Sequence, residues 1–162
     1  MTSNLQQIKA SIYDKCSLII SNYKNELEGK VYGACTFKIA GFDIICRDAK
    51  VTPKKVGQFV TFWKRLESGE ISPFHESDII DFYVVNVKSE KNLGQFVFPK
   101  STLIKKGIIS TQTREGKRGF RVYPAWDTPN NKLALKTQKW QLDYFYEAKK
   151  VIDINLITSL YT

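Results

Sequence analysis

Histidine, cysteine and long apolar runs are scarce in this chain, and each shortage closes off a class of chemistry. One histidine, His75, stands among 162 residues. That is too few for a histidine-rich metal centre, and a Ser-His-Asp triad would have to be built on that residue alone. Cysteine occurs three times, as Cys16, Cys35 and Cys46, with no C-x-x-C spacing. A zinc site and a disulfide framework are both unsupported, and free thiols in a reducing cytoplasm are the expectation. No apolar run approaches membrane-spanning length, and the polar start M-T-S-N-L-Q-Q-I-K is unlike a signal peptide. The reading is therefore cytoplasmic, with no membrane contact. The glycines form neither a Walker loop nor a dinucleotide fingerprint. Acidic residues are also short, with 16 Asp and Glu against 25 Lys and Arg, for a net charge of +9.

The excess charge is localised. Residues 1–50 carry +2, residues 51–100 carry +1, residues 101–150 carry +7, and the last twelve carry −1. Such asymmetry points to a polyanionic partner. The third block holds the stretch G-K-R-G-F-R-V-Y-P-A-W-D, residues 116–127. It sets Lys117, Arg118 and Arg121 among Phe120, Tyr123 and Trp126. Cations attract phosphate and flat rings stack on unpaired bases, which is what sequence-tolerant binding of single strands requires. Lys100, Lys105 and Lys106 lie just upstream and extend the positive field. The competing reading is a solvated basic surface over buried rings.

The length predicts one domain over residues 1–162, and periodicity clusters its strands between helices. A helix is expected over residues 4–28, closed by Gly29, then strands over 31–39 and 42–47. Thr52 and Pro53 look like the start of a second helix that Gly69 ends. Residues 67–81 are an acidic connecting loop. Strands follow over 81–87 and 95–98, with a short helix over 101–106. A hairpin is expected between 108–113 and 119–123, placing Arg121 and Tyr123 on its open face. Asn130 or Asn131 caps a final helix reaching Lys150, and Asp153 caps a last turn. The fold class is α/β (α+β), with a central mixed sheet flanked by helices.

A nuclease is the main alternative. Metal-dependent phosphodiester cleavage recurrently places an acid on one strand and a D/E-x-K triplet on its neighbour. Asp81 followed by Phe98-Pro99-Lys100 has that layout, but Phe98 stands where the second carboxylate belongs, and a phenyl ring cannot ligate Mg²⁺. Asp48-Ala49-Lys50 matches literally, yet Asp43, its upstream acid, has opposite strand parity. His75, Glu76, Asp78 and Asp81 match no ligand spacing and read as a solvated acidic loop.

Four segments together resemble the MepB family of small bacterial proteins. These are A-K-V-T-P-K-K-V-G-Q-F-V-T-F-W-K-R (residues 49–65), G-Q-F-V-F-P-K-S-T-L-I-K-K-G-I (94–108), the basic stretch at 116–127, and T-Q-K-W-Q-L-D-Y-F (137–145). The resemblance implies a restriction-endonuclease-like PD-(D/E)XK fold lacking its full catalytic set. Asp81 and Lys100 would be the retained first acid and lysine, and Phe98 the lost acid. The activity implied is nucleic-acid binding without cleavage. The expected partner is RNA or single-stranded DNA, with duplex DNA weaker, and no cofactor is expected unless Mg²⁺ serves the nuclease alternative. A protein-interaction module is the remaining alternative, with Trp126 as its apolar contact.

Overall fold

Runs of buried side chains in the segments richest in Ile, Val and Phe build the frame of the computed structural model, which describes residues 1–149 and 151–162. The chain opens with helix α1, Ser3–Ile8, whose first turn is capped by the Thr2 hydroxyl accepting from the Leu5 N–H. The helix loosens into a π turn over Lys9–Tyr13 and a 3₁₀ turn over Asp14–Cys16. Ser17 then takes a left-handed conformation, φ 55°, and ends it.

The expected helix over 4–28 is therefore only half present. Its second half is strand β1, Ile20–Asn25. The apolar residues that extended the helical period, Ile19 and Leu27, are 77% and 92% exposed, so no buried stripe continues through them.

Strand β3 (Phe42–Asp48) follows as expected, and β2 (Cys35–Ile39) is the second half of the strand expected over 31–39, whose start falls in a 3₁₀ turn, Lys30–Tyr32; the two strands join at Ala40 and Gly41, both at positive φ. The helix expected from Thr52 does not form. Instead β4 (Lys50–Thr52) turns through Pro53 and Lys54 into β5 (Lys55–Thr61), with Thr52 opposite Lys55. Proline suits the first position of a tight turn as well as it suits a helix start. Gly57, at φ +83°, lies outside helical geometry, and the β-branched and aromatic residues that follow favour a strand. A small ladder, β6 (Lys64–Arg65) with β7 (Ile71–Ser72), closes this insertion.

β8 (Phe82–Lys88) and β9 (Leu93–Pro99) form the antiparallel pair read from the sequence, and α2 (Lys100–Lys105) follows directly. The hairpin expected within 108–123 is replaced by a different pairing. β10 (Gly119–Val122) pairs with β5, sixty residues upstream in register, and not with its neighbour. Ile108 and Ile109 are consecutive and both buried, which a half-exposed hairpin strand does not allow. The loop between is held by Gly116 N–H donating to Ser110 Oγ at 2.7 Å and Lys117 N–H donating to the Ile108 carbonyl at 2.9 Å.

Asn131 caps α3 (Lys132–Gln141), accepting from the Ala134 N–H at 2.9 Å. The helix stops well before Lys150, which lies outside the described residues. A 3₁₀ turn leads into β11 (Phe145–Glu147), and Asp153 caps α4 (Ile154–Ser159).

The main sheet runs β1-β2-β3-β8-β9-β11, with β3 and β8 parallel and the other neighbours antiparallel. It is the mixed sheet the sequence predicts. Its two faces bury separate cores. On one side Leu5, Ile8, Ile12 and Tyr13 of the first helical segment, with Ile157 and Tyr161, meet Phe37, Val84 and Val97. On the other, Val60, Phe120 and Val122 of the second sheet, ordered β10-β5-β4, and Phe62 just past β5 meet Tyr83, Val85 and Phe98. Burial on both faces explains the almost unbroken apolar runs of β8 and β9. Among the described residues no helix is long and apolar enough to cross a membrane.

Candidate nucleic-acid interface

β10 is an edge strand of the second sheet, and α3 runs beside it. Between them and the β4–β5 turn lies a groove of about 480 Å³. Its walls carry Lys54, Lys55, Lys106, Lys117 and Arg121, with Tyr123 and Trp140 among the rings, and no carboxylate lines it. The described cations that pair with a carboxylate are Lys9, Lys38, Arg47, Lys64, Arg65, Arg118 and Lys149, and none of them belongs to the groove. The groove charge is therefore not neutralised by a described side chain.

Strand alternation turns Phe120 and Val122 inward and leaves Arg121 and Tyr123 half-exposed, as the sequence predicts for that strand. Arg121 Nη1 donates to the Val56 carbonyl at 3.2 Å, and Nη2 donates to Thr52 Oγ1. Two of its five donors thus anchor it to the β4–β5 turn, which fixes where the guanidinium sits. Gln141, fully buried, extends the edge of β10. Its Nε2 donates to the Arg121 carbonyl and its Oε1 accepts from the Tyr123 N–H, each at 2.9 Å. One turn earlier, Gln138 Nε2 donates to the carbonyls of Pro124 and Asp127 at 3.0 and 2.8 Å. Two glutamines on one helical face thereby hold the strandless segment after Val122. Lys106 Nζ stands 5.2 Å from the Trp140 ring centre, a cation–π contact.

Of the residues singled out from sequence, the structure gathers Lys106, Lys117, Arg121 and Tyr123 around this groove. The other four sit elsewhere. Arg118 turns to Glu115 at 3.1 Å. Lys105 is exposed near the end of α2 without lining the groove. Trp126 is half-buried, edge-on to Phe145 at 5.7 Å. Lys100 is committed to a different surface, its ammonium donating to the Asp78 carbonyl at 2.6 Å. The sequence does not single out Lys54 and Lys55, which fall in the segment expected as a helix, or Gln141. The three-residue Gln138–Gln141 spacing beside a predicted strand was a usable signal for the last.

The nuclease-like triplet does not assemble on one strand. Phe98 is completely buried among Phe96, Phe120, Trp140 and Tyr144. Lys100 is the first residue of α2 and not a strand position. Asp81 precedes β8 and ties it to β3: Oδ2 accepts from the Asp43 N–H at 2.7 Å, and its own N–H donates to the Asp43 carbonyl at 2.8 Å. Asp81 and Lys100 share an open hollow with Glu76. Among the described residues no three His, Cys, Asp or Glu side chains come together to hold a metal ion.

The remaining acids have other roles. Asp78 receives Lys64 Nζ and the His75 N–H, both at 2.7 Å, and so closes its own loop. Asp43 pairs with Lys38 at 2.9 Å. Asp48 accepts from Asn86 Nδ2 at 3.0 Å, and burial pushes its carboxyl above the ordinary range.

A family model described as MepB-like matches residues 26–147. Among solved structures, one described as the crystal structure of MepB is 34% identical, with a TM-score of 0.81, covering 93% of this chain and 100% of that one. Another, described as the bacterial homing endonuclease I-Ssp6803I, is 15% identical, with a TM-score of 0.46, covering 87% and 88%. No curated protein matches the sequence.

Proposed function

The chain belongs to the MepB-like family, and from that footing we propose that it binds nucleic acid along the groove between β10 and α3, without cutting it. One observation carries the reading: five cations and two accessible rings line a groove that contains no carboxylate. Phosphates are drawn by Lys54, Lys55, Lys106, Lys117 and Arg121. Tyr123 offers a stacking surface for a base, which an unpaired strand can present and a closed duplex cannot. RNA or single-stranded DNA is thus the preferred ligand, and the endonuclease-like scaffold implied by the family serves as a platform. Binding of RNA, single-stranded DNA and duplex DNA at two salt concentrations tests it. Log affinity is expected to fall with log salt, and single strands to outrank duplex. A flat salt response would falsify the reading.

A second reading rests on Asp81, Glu76 and Lys100 lining one hollow. Glu76 there is an acid from outside the triplet that Phe98 interrupts. The fit to Mg²⁺ is poor, since Asp81 Oδ2 and the Lys100 ammonium are already engaged by backbone groups. Mg²⁺-dependent cleavage abolished by Asp81→Ala would favour this reading over the first.

A further inference from the structure

The β10-β5-β4 sheet has a second face, turned away from the core; the groove takes its β10 side through Gly119, Arg121 and Tyr123 and leaves out Phe59 and Lys50. Its inward side is set by Val60, Phe120 and Val122. The alternate positions point out, and among them one cross-strand row reads Lys50, Phe59, Arg121, with Phe59 opposite both cations in register. Phe59 is half-buried and not solvent-hidden, unlike its neighbours Val60 and Gln58. Two glycines seat the rings of this face. A Cβ on Gly119 would come within 2.7 Å of Phe59 Cζ, and a Cβ on Gly57 within 2.7 Å of Tyr123 Cδ1 and Cε1. Each ring therefore rests against backbone where a side chain is missing. Tyr32 meets Phe59 edge-on at 6.4 Å, and Lys50 Nζ lies 5.0 Å from the Tyr32 ring centre. No acidic residue occurs in any of the three strands.

We propose that this outer sheet face is a second stacking platform, on which Phe59 and Tyr32 take unpaired nucleobases beyond the one at Tyr123 while Lys50 holds an intervening phosphate. The inference rests on the groove binding a single strand. Arg121 belongs to both surfaces, lining the groove and standing opposite Phe59, so one chain can pass from one to the other. Rings flanked by cations, on strands that carry no acid, complement a flexible polyanion that presents flat bases.

Oligonucleotide length separates the platform from the groove. A homopolymer of about 4 nucleotides and one of about 16 span the usual site sizes of single-strand-binding folds. Phe59→Leu keeps apolar bulk and removes the ring. It should weaken the longer oligomer about ten-fold and leave the shorter within about two-fold. Lys50→Ala should lower the salt slope by about one for the longer oligomer alone. Lys54→Ala with Lys55→Ala should weaken both lengths, with unfolding temperatures confirming that every variant is folded. If Phe59→Leu binds both lengths as the unaltered protein does, or loses both equally, the platform is overturned while the groove stands. If the unaltered protein binds neither length, the groove reading falls and takes the platform with it.

Discussion

Two basic regions of this molecule use the same residue types and end in opposite electrostatic states. Around Trp63, three cations are each matched: Arg47 pairs with Glu26 at 2.8 Å, Arg65 with Glu28 at 2.7 Å and Lys64 with Asp78 at 2.7 Å. They line a mainly apolar hollow together with Thr36, Ile45 and Phe74. In the groove beside α3, five cations gather and no acid joins them. A net charge of +9 describes both regions without distinguishing them. What differs is whether a carboxylate from elsewhere in the chain reaches each ammonium or guanidinium. A matched pair has a small residual field, while an unmatched cluster keeps a field that a polyanion can neutralise with release of its counterions.

That contrast can be broken most directly by paired deletions. Lys54→Ala with Lys55→Ala should weaken single-strand binding about ten-fold at low salt and lower the salt slope by roughly two. Lys64→Ala with Arg65→Ala removes the same formal charge from the matched region and should leave affinity within about two-fold, since those cations are already neutralised. Equal losses from the two double variants would show that total charge, and not its pairing, drives binding.

A smaller effect sharpens the groove side. Gln141→Ala strips the partners from the Arg121 carbonyl of β10 and the Tyr123 N–H just past it, and should cost about 1–3 kcal/mol of stability in denaturant unfolding. It should also loosen Arg121 and Tyr123, so affinity falls in the still-folded variant. Stability unchanged from the parent would show that those groups find other partners.

The smallest effect concerns Asp48, outside both regions. Burial raises its carboxyl above the ordinary value, and hydrogen bonds from Asn86, Thr2 and Asn4 oppose that rise only in part. The folded chain therefore holds this proton more tightly than the unfolded chain does. The favourable contribution is present below the ordinary carboxylate value and is lost as pH rises through the raised one. Asp48→Asn, which keeps an acceptor for Asn86, should remove that loss. Its stability relative to the parent should increase from acid toward neutral pH, and a pH-independent difference would contradict the sign.

Much of the frame was legible because alternation and capping act locally. The strand at Cys35–Ile39 alternates, those at Phe42–Asp48, Phe82–Lys88 and Leu93–Pro99 are short apolar runs, and Asn131 and Asp153 cap helices. The misread helix from Thr52 arose because Pro53 is compatible with both a helix start and a turn. The apolar spacing Val56, Phe59, Val60, Trp63 fits a helical face, yet the structure buries Gln58, Val60 and Phe62 as a strand does. Gly57 at positive φ and the β-branched neighbours were the contrary signals. In the candidate site, Arg121 and Tyr123 were readable from parity alone. Lys54 and Lys55 were not, because their place in the groove depends on β5 pairing with a strand far along the chain.

The sequence by itself determined the segregation of positive charge, the absence of acids from the three strands of the smaller sheet, and the side of β10 on which Arg121 and Tyr123 lie. These depend on composition and on the two-residue period of a strand, and both are local. Only the tertiary structure decided which cations meet a carboxylate and which are left unmatched. An ion pair forms wherever folding brings two side chains within a few ångströms, and that distance is set by packing between segments that are remote along the chain.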